Sequence, residues 1–180
     1  GAGCGKTMLA LNLAFSLARQ PDITTMAVEL DMRRPAMARM LGLRPSPQFA
    51  EVLAGTAEPR DHLVRLGATL AAGVNHRSVP EAAELLQSRQ AGQILDRVEE
   101  TYAPDVMIVD MPPMLMTDDT MAFIDQVDCV LLVAAAERTA MAEITRCAED
   151  LAARCNFLGV ILNKCRFLEP GEGYAYGGGY

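Results

Sequence analysis

The chain has 180 residues, a length that suits one domain with a substantial core. Hydrophobic residues make up 51% of it and aromatic residues only 5%, which favours a helix-and-sheet protein with an aliphatic interior over a β-sandwich. The net charge of −7 argues against a nucleic-acid-binding surface. Only two of the 16 basic residues are lysines, Lys6 and Lys164. The five cysteines include no C-x-x-C pair, and we expect them to be reduced and mostly buried in a cytosolic protein.

The first seven residues, GAGCGKT, predict a phosphate-binding loop that leads into a helix. Glycines allow consecutive backbone N–H groups to turn inward around a phosphate. Lys6 would reach the β- and γ-phosphates, and the Thr7 hydroxyl would bind Mg²⁺. The alternative is a glycine-rich cap on an ordinary helix. Because such a loop normally follows a buried strand, we expect a further strand upstream of Gly1 that this chain does not contain.

Helical and strand patterns alternate in the first half of the chain. Apolar residues, Met8 and Leu13 among them, recur at helical spacing from 6 to about 20 and predict a helix with a broad buried face. Residues 25–30 predict a short buried strand, and a short helix then runs to Leu41 with Gly42 as its C-cap. Residues 43–80 predict loops, a helical turn or two at 49–53 and a weak strand at 68–74.

The alternation continues in the second half. A helix with Pro80 in its first turn is followed by a second over 89–102, with Tyr102 facing the core. Residues 105–110 predict a strand covered on both faces, and Pro112 and Pro113 end it. A helix at 118–126, a fully buried strand at 129–134, a helix at 139–155 with Met141 in the core, and a strand at 157–162 complete the pattern.

This alternation predicts a doubly wound, mostly parallel α/β sheet with helices on both faces, in three layers. Ligands in such folds bind beyond the carboxyl ends of the strands. The polar residues that follow strands here are Glu29, Asp31, Asp110 and Asn163. The expected organisation is a domain over 1–168 and a flexible Gly/Tyr-rich tail over 169–180.

Each of these polar residues has a functional and a structural interpretation. Asp110 can hold Mg²⁺ opposite a phosphate-loop threonine, or it can simply cap the next turn. Glu29 and Asp31 point to one face of their strand and suit Mg²⁺ coordination plus activation of an attacking hydroxyl. The alternative is a solvated acidic turn paired with Arg33 or Arg34, which could instead stabilise phosphate charge. Asn163 can read a purine edge through its amide, although Asn is common after strands.

Three of the four tyrosines, Tyr174, Tyr176 and Tyr180, lie in the last seven residues among glycines. They are either accessible phenol acceptors or a sticky low-complexity end.

Taken together, these motifs resemble the cytoplasmic domains of bacterial tyrosine autokinases that regulate capsule and exopolysaccharide synthesis. Those domains are P-loop ATPases related to the Min and Par partition ATPases. The resemblance covers nearly the whole chain. It is carried by GCGKT at 3–7 with the helix after it, VELDMRRP at 28–35 (similar to D-x-D-x-R-[RK]-P), AELLQS at 83–88 (similar to N-P-x-E-L-L-x-S), the D-x-x-x-x-D-x-P-P pattern at 105–113, and GVILNK at 159–164 (similar to G-V-V-L-N).

The resemblance implies ATP-dependent autophosphorylation of the tail tyrosines, in trans between subunits of a ring. It implies that Thr7, Asp31 and Asp110 hold Mg²⁺ directly or through water, and that Lys6, Glu29, Asp31 and Asp110 are catalytic. Glu29 would orient or deprotonate the phenol, and Asn163 would contact adenine. The implied ATP-binding residues are Gly3, Cys4, Gly5, Lys6, Thr7, Met8, Arg33 and Asn163.

The resemblance also implies partners. The domain is expected at the inner face of the bacterial plasma membrane, through a membrane polysaccharide co-polymerase or activator that is fused to it or separate. A cognate tyrosine phosphatase is a further expected partner, and no nucleic acid is expected.

Two departures from the family pattern bear on function. Glu29 replaces the usual Asp, so its carboxylate reaches one methylene further. Gly1 stands where partition ATPases carry a signature lysine, which favours the kinase branch. The alternatives are a Min/Par-like ATPase that acts as a nucleotide switch, and a nucleotide-binding regulator or scaffold with little catalysis.

Overall fold

The structure is a computed structural model that describes residues 3–45, 47–114 and 123–166. The predicted tail over 169–180, with its three tyrosines, lies outside the described residues. So do residues 118–122 of the helix predicted at 118–126. The described end of that segment holds a 3₁₀ turn at Ile124–Gln126.

The predicted helices and strands are present in the described residues, with an additional short helix and an additional short strand between 59 and 65. In the described part of the chain, the α-helices are α1 (Lys6–Leu17), α2 (Met37–Met40), α3 (Phe49–Leu53), α4 (Pro59–His62), α5 (Ala82–Gln87), α6 (Arg89–Tyr102) and α7 (Met141–Ala152). The strands are β1 (Thr25–Glu29), β2 (Leu63–Arg65), β3 (Leu70–Gly73), β4 (Val106–Asp110), β5 (Val130–Ala135) and β6 (Phe157–Asn163). None of the described helices is both long and apolar enough to cross a membrane.

The strands form two sheets. The first has the order β2-β3-β1-β4, in which β1 pairs in parallel with β3 and β4, and β2 is antiparallel to β3. The second consists of β5 and β6 in parallel. This confirms the mostly parallel α/β fold. Glu29 and Asp110 are register partners at the carboxyl ends of β1 and β4, so the parallel pairing brings both acidic motifs to one edge.

The interior is built around β1, whose five residues are all buried. Met26 and Val28 pack on one face, in a cluster that includes residues of α3, α5 and α6. Ala27 packs on the other face, with Leu11 of α1 and Met37 of α2. Helices therefore cover both faces, as a doubly wound fold requires.

Several predicted core positions are wrong. Met8 and Leu13 of α1 are 52% and 40% exposed, because the buried residues of this helix are Leu11 and Ala14. Met141, at the first turn of α7, is 73% exposed, and Tyr102, at the last turn of α6, is also exposed. Helix ends lie at the margin of the packed layer, so helical spacing alone overestimates their burial.

The two strands expected to be fully covered are only partly so. Residues 106–109 of β4 are half-buried, and β5 is open at its start, with Cys129 before it exposed. In the described ranges, β4 ends one sheet and β5 belongs to the other, and neither has a partner on its outer edge. Side chains beside such an edge lose the cover that a neighbouring strand would give. The phosphate loop lies where the two sheets approach, since Cys4 packs on Val133 and Ala135 of β5.

Candidate nucleotide-binding site

The predicted phosphate loop has the backbone that such loops require. Gly3 and Gly5 both have left-handed φ values, of 70° and 93°, which a side chain would disfavour. Helix α1 begins at Lys6, so its amino-terminal N–H groups and dipole face the loop. Cys4 is buried against β5 and fixes the loop to the second sheet. The glycines and the helix together give an anion-binding turn.

A hydrogen bond joins the loop to the end of β4. The Thr7 hydroxyl donates to Oδ2 of Asp110 over 2.6 Å. The other carboxylate oxygen, Oδ1 of Asp110, is buried and accepts no hydrogen bond from the residues that the structure describes. The pKa of Asp110 is raised to about 6, mainly by burial and in part by the nearby Asp31, while the hydrogen bond from Thr7 and the charge of Lys6 oppose the rise. Thr7 and Asp110 therefore meet as the sequence predicts.

Asp31 is held beside Asp110 by the backbone. The N–H groups of Leu30 and Asp31 both donate to the carbonyl oxygen of Asp110, over 2.9 and 3.1 Å. Asp31 is largely buried, and this burial raises the pKa of its carboxyl, against the opposing charge of Lys6. Lys6 thus interacts electrostatically with both aspartates. The structure therefore brings Lys6, Thr7, Asp31 and Asp110 together at one end of the sheet.

This set fits a magnesium ion that is bound together with phosphates. An unpartnered buried carboxylate oxygen at Asp110, beside a hydroxyl and a second carboxylate, provides hard oxygen donors. Within the described ranges no group of three or more His, Cys, Asp or Glu side chains could hold a metal. Mg²⁺ is usually bound by one or two carboxylates plus substrate phosphates and water. Thr7, Asp31 and Asp110 are the residues that would hold it.

Glu29 is placed differently from the prediction. Its carboxylate is fully buried and accepts hydrogen bonds from the N–H groups of Ala36, Met37 and Asn75, the last two over 2.8 and 2.9 Å. In this conformation it cannot take a proton from a phenol that arrives from solvent. The extra methylene of Glu carries the carboxylate to the start of α2, where it anchors the segment between β1 and α2. Burial raises its pKa to about 7.

Asn75 is the residue at this site that sequence reasoning missed. Its side-chain amide donates to the carbonyl of Glu29 over 3.0 Å, while its N–H binds the Glu29 carboxylate. Its side-chain oxygen accepts from the N–H of Ala50 in α3. Asn75 lies just beyond the carboxyl end of β3, the same position relative to a strand that singled out Asp31 and Asp110. That placement was the available signal.

The remaining predicted binding residues lie around the loop. Arg33 and Arg34 are exposed after β1, and the charges of both lower the pKa of Asp31. Met8 faces solvent on the first turn of α1. The Asn163 amide donates to the carbonyl of Cys4 over 2.9 Å, and its oxygen accepts from the N–H of Lys164. Asn163 is therefore at the loop, but its amide binds the loop backbone, whereas the sequence predicted a contact with adenine.

Replacing Gly5 with alanine is expected to weaken nucleotide binding by roughly tenfold or more. A Cβ at Gly5 would lie 2.4 Å from Nδ2 of Asn163, and the left-handed φ adds strain of about 1–2 kcal/mol. Titration with fluorescent ADP and Mg²⁺ measures the loss. Gly42→Ala is the matched control, because Gly42 has a similar φ of 65° and a Cβ added there would meet no atom of the described residues within 4 Å. Equal affinity for Gly5→Ala and wild type would contradict the tight approach of Asn163.

Comparison with known proteins places this geometry in a family. The sequence matches the profile of the ParA family, described as the NUBPL iron-transfer P-loop NTPase, over residues 1–176. It is 28% identical over 178 residues to the succinoglycan biosynthesis transport protein ExoP of Rhizobium meliloti. That match covers 93% of this chain and 22% of ExoP, so the chain spans less than a quarter of this relative.

Solved structures give the same fold. The kinase domain of VpsO superposes with a TM-score of 0.82 at 28% identity, over 92% of this chain and 81% of that one. The kinase domain of the Escherichia coli tyrosine kinase ETK also reaches 0.82, at 26% identity, over 99% of this chain and 69% of that one. With its glycine loop, lysine, threonine and strand-end aspartates in the arrangement described above, the chain belongs to the ParA family of P-loop NTPases.

Proposed function

We propose that the chain is the catalytic domain of an ATP-dependent protein-tyrosine autokinase that regulates exopolysaccharide or capsule synthesis. Its acceptors are Tyr174, Tyr176 and Tyr180, phosphorylated in trans between subunits of a ring. The observation that carries the proposal is the hydrogen bond from Thr7 of the phosphate loop to Asp110, whose other, buried carboxylate oxygen has no partner among the described residues. The relatives support the choice within the family, since ETK is named a tyrosine kinase and ExoP a polysaccharide transport protein.

The proposed roles follow from placement. The loop N–H groups and Lys6 bind the ATP phosphates, and Thr7, Asp31 and Asp110 hold Mg²⁺. Mg²⁺ held there would supply positive charge that stabilises the transferring phosphoryl group. Asp31 is the carboxylate placed to orient the acceptor hydroxyl, because the carboxylate of Glu29 is committed to backbone amides. Arg33 supplies further positive charge near the phosphates.

The partners are proposed on the same basis. An exopolysaccharide kinase has to act where the polymer is exported, so we place the domain at the inner face of the bacterial plasma membrane. A membrane polysaccharide co-polymerase or activator, fused or separate, holds it there. A cognate tyrosine phosphatase would remove the phosphate groups from the tail tyrosines.

The test is tail phosphorylation by the full-length protein with ATP and Mg²⁺, followed by mass spectrometry. We expect phosphate on the three tail tyrosines, and at least a hundredfold loss in Lys6→Met, because Lys6 is the loop cation that binds the phosphates. Mixing Lys6→Met with a variant whose tail tyrosines are phenylalanine tests the trans reaction. Phosphate must then appear on the Lys6→Met chain. Its absence there would contradict transfer between subunits.

The second candidate is a Min/Par-like ATPase that acts as a nucleotide switch. It is favoured by the match to the ParA family, whose description names a P-loop NTPase and no kinase. ATP hydrolysis by the full-length protein with an unmodified tail would support the nucleotide-switch function and contradict the autokinase function.

A further inference from the structure

The end of β6 lies directly on the phosphate loop. The ammonium of Lys164 donates to the carbonyl oxygen of Gly3 over 2.6 Å. The amide of Asn163 donates to the carbonyl oxygen of Cys4 over 2.9 Å. Asn163, the last residue of β6, and Lys164, the first residue of the turn after it, therefore bind two consecutive peptide groups of the loop.

The backbone at this end of β6 is arranged for that contact. Lys164 has a φ of 60°, a left-handed conformation that is uncommon for a residue other than glycine. The oxygen of the Asn163 side chain accepts from the N–H of Lys164 over 2.8 Å, which stabilises the turn. The carbonyl of Asn163 accepts from Ala136 after β5, so the turn is fixed to the second sheet. The strained residue is thus held by the surrounding structure.

The contact has a consequence for the opposite side of the loop. A peptide group is planar, and its C=O and N–H point in opposite directions. Donors on the carbonyls of Gly3 and Cys4 therefore direct the N–H groups of Cys4 and Gly5 away from β6, toward the concave side where an anion binds. A charged donor on the carbonyl also polarises the peptide and strengthens its N–H as a donor.

We infer that Lys164 and Asn163 form a clamp that positions the phosphate loop for the nucleotide's phosphates. The inference rests on the proposed function only in taking a nucleotide as the ligand. It gives Lys164, the second of the chain's two lysines, a role beside Lys6. It also assigns Asn163 a role in phosphate binding in place of the predicted contact with adenine. Lys164 and Asn163 are positioning residues, since they act on the ligand through the loop.

The test compares two ligands that share phosphates and differ in the base. Dissociation constants for ADP and for inorganic tripolyphosphate, each with Mg²⁺, are measured by calorimetry on the full-length protein. Lys164→Met and Asn163→Ala are expected to weaken both ligands by roughly tenfold, the loss of one hydrogen bond to a pre-organised loop. Lys164→Arg keeps a cation at this position and is expected to recover part of the affinity.

Two further variants separate positioning from folding. Lys164→Gly removes the ammonium but relieves the left-handed φ, so it is expected to melt no lower than wild type while losing the same affinity. Arg166→Met is the matched control, because Arg166 is a nearby cation that pairs with Glu137 over 3.3 Å and makes no hydrogen bond to the described loop residues 3–7. It is expected to bind both ligands as wild type does.

The outcomes are distinct. Unchanged affinity in Lys164→Met and Lys164→Gly would overturn the clamp. A loss for ADP alone in Asn163→Ala would overturn its phosphate role and restore the adenine contact. Wild-type protein that binds neither ligand would overturn the proposed nucleotide function, and the clamp with it.

Discussion

Asp110→Asn is expected to reduce tail phosphorylation by roughly a hundredfold to a thousandfold or more. The same substitution is expected to make the ligand-free protein more stable. The activity falls because Asp110 supplies a carboxylate to the proposed Mg²⁺ site and positions Thr7. Asparagine can still accept the Thr7 hydrogen bond, so the loss isolates the charge. Tail phosphorylation measured by mass spectrometry, across a range of Mg²⁺ concentrations, gives the first half of the result.

The stability change follows from the pKa of Asp110. Burial raises this pKa from 3.8 to about 6, so the folded state binds the proton more tightly than the unfolded state. The resulting stabilisation is present below pH 3.8 and is lost as the pH rises through 6. Above pH 6 the buried charge costs up to about 3 kcal/mol, part of which asparagine recovers. Urea unfolding at pH 8 is expected to show a gain of about 1–2 kcal/mol.

Asp105, next to the same strand, provides a matched control. It precedes β4 at the opposite end, is exposed, and accepts hydrogen bonds from the N–H and hydroxyl of Thr24, which lower its pKa. Its contribution is therefore present above its unfolded pKa and lost as the pH falls. Asp105→Asn should destabilise the protein at pH 8 and leave Mg²⁺-dependent activity intact. A lower stability at pH 8 for Asp110→Asn as well would contradict a net cost of the buried Asp110 charge.

Glu29→Gln is expected to preserve most of the turnover while changing how stability depends on pH. The side chain anchors the segment after β1 through three backbone N–H groups, so its role is to hold Asp31 in place. Glutamine keeps one oxygen for Ala36 and Met37 but presents an N–H₂ group to the N–H of Asn75. Glu29→Ala would leave all three amides without an acceptor, and we expect it to cost about 3 kcal/mol or more.

The pH dependence again follows from a raised pKa. The pKa of Glu29 moves from 4.5 to about 7, so its protonated form stabilises the fold below pH 4.5, and this contribution is lost as the pH rises through 7. Glutamine does not titrate. The free energy of unfolding of wild type, relative to that of Glu29→Gln, should therefore fall by about 2.5 kcal/mol between pH 5 and pH 8, as measured by urea unfolding.

Glu51→Gln is the control for Glu29, because Glu51 forms an exposed ion pair with Arg77 over 3.0 Å. An exposed ion pair contributes little to stability, so Glu51→Gln is expected to leave the free energy of unfolding nearly unchanged. Turnover separates the two roles of Glu29. A loss of about 10²–10⁴-fold in Glu29→Gln at unchanged stability would mark it as the general base and overturn the anchoring role.

Strand placement at the site could be read from the sequence, because it depends on local patterns. The apolar run of β1 and the acidic residues after it fix the position of Asp31, and the same holds for β4 and Asp110. Their meeting follows from parallel pairing, which the alternation of helices and strands already predicts. β2 was not predicted, since three residues carry too little pattern, and its antiparallel pairing with β3 is a tertiary contact.

Side-chain direction could not be read in the same way. The sequence places Glu29 and Asp31 on one face of β1, but it does not reveal that the start of α2 offers amides within reach of Glu29. The exposure of Met8 and Met141 likewise depends on which stripe of each helix meets the sheet. The contacts of Asn163 and Lys164 join residues about 160 positions apart, which no local pattern encodes.

The phosphate loop touches both sheets, and this has a consequence for local unfolding. Thr7 is bonded to the end of β4, Cys4 packs on β5, and β6 holds Gly3. Separate sheets can open as separate cooperative units, each with its own hydrogen-exchange rate. A nucleotide that stabilises the closed loop binds only when both units are in place, so its binding energy adds to the opening cost of each. Occupancy of one small loop would then be reported by slower amide exchange in β1 and in β6 alike.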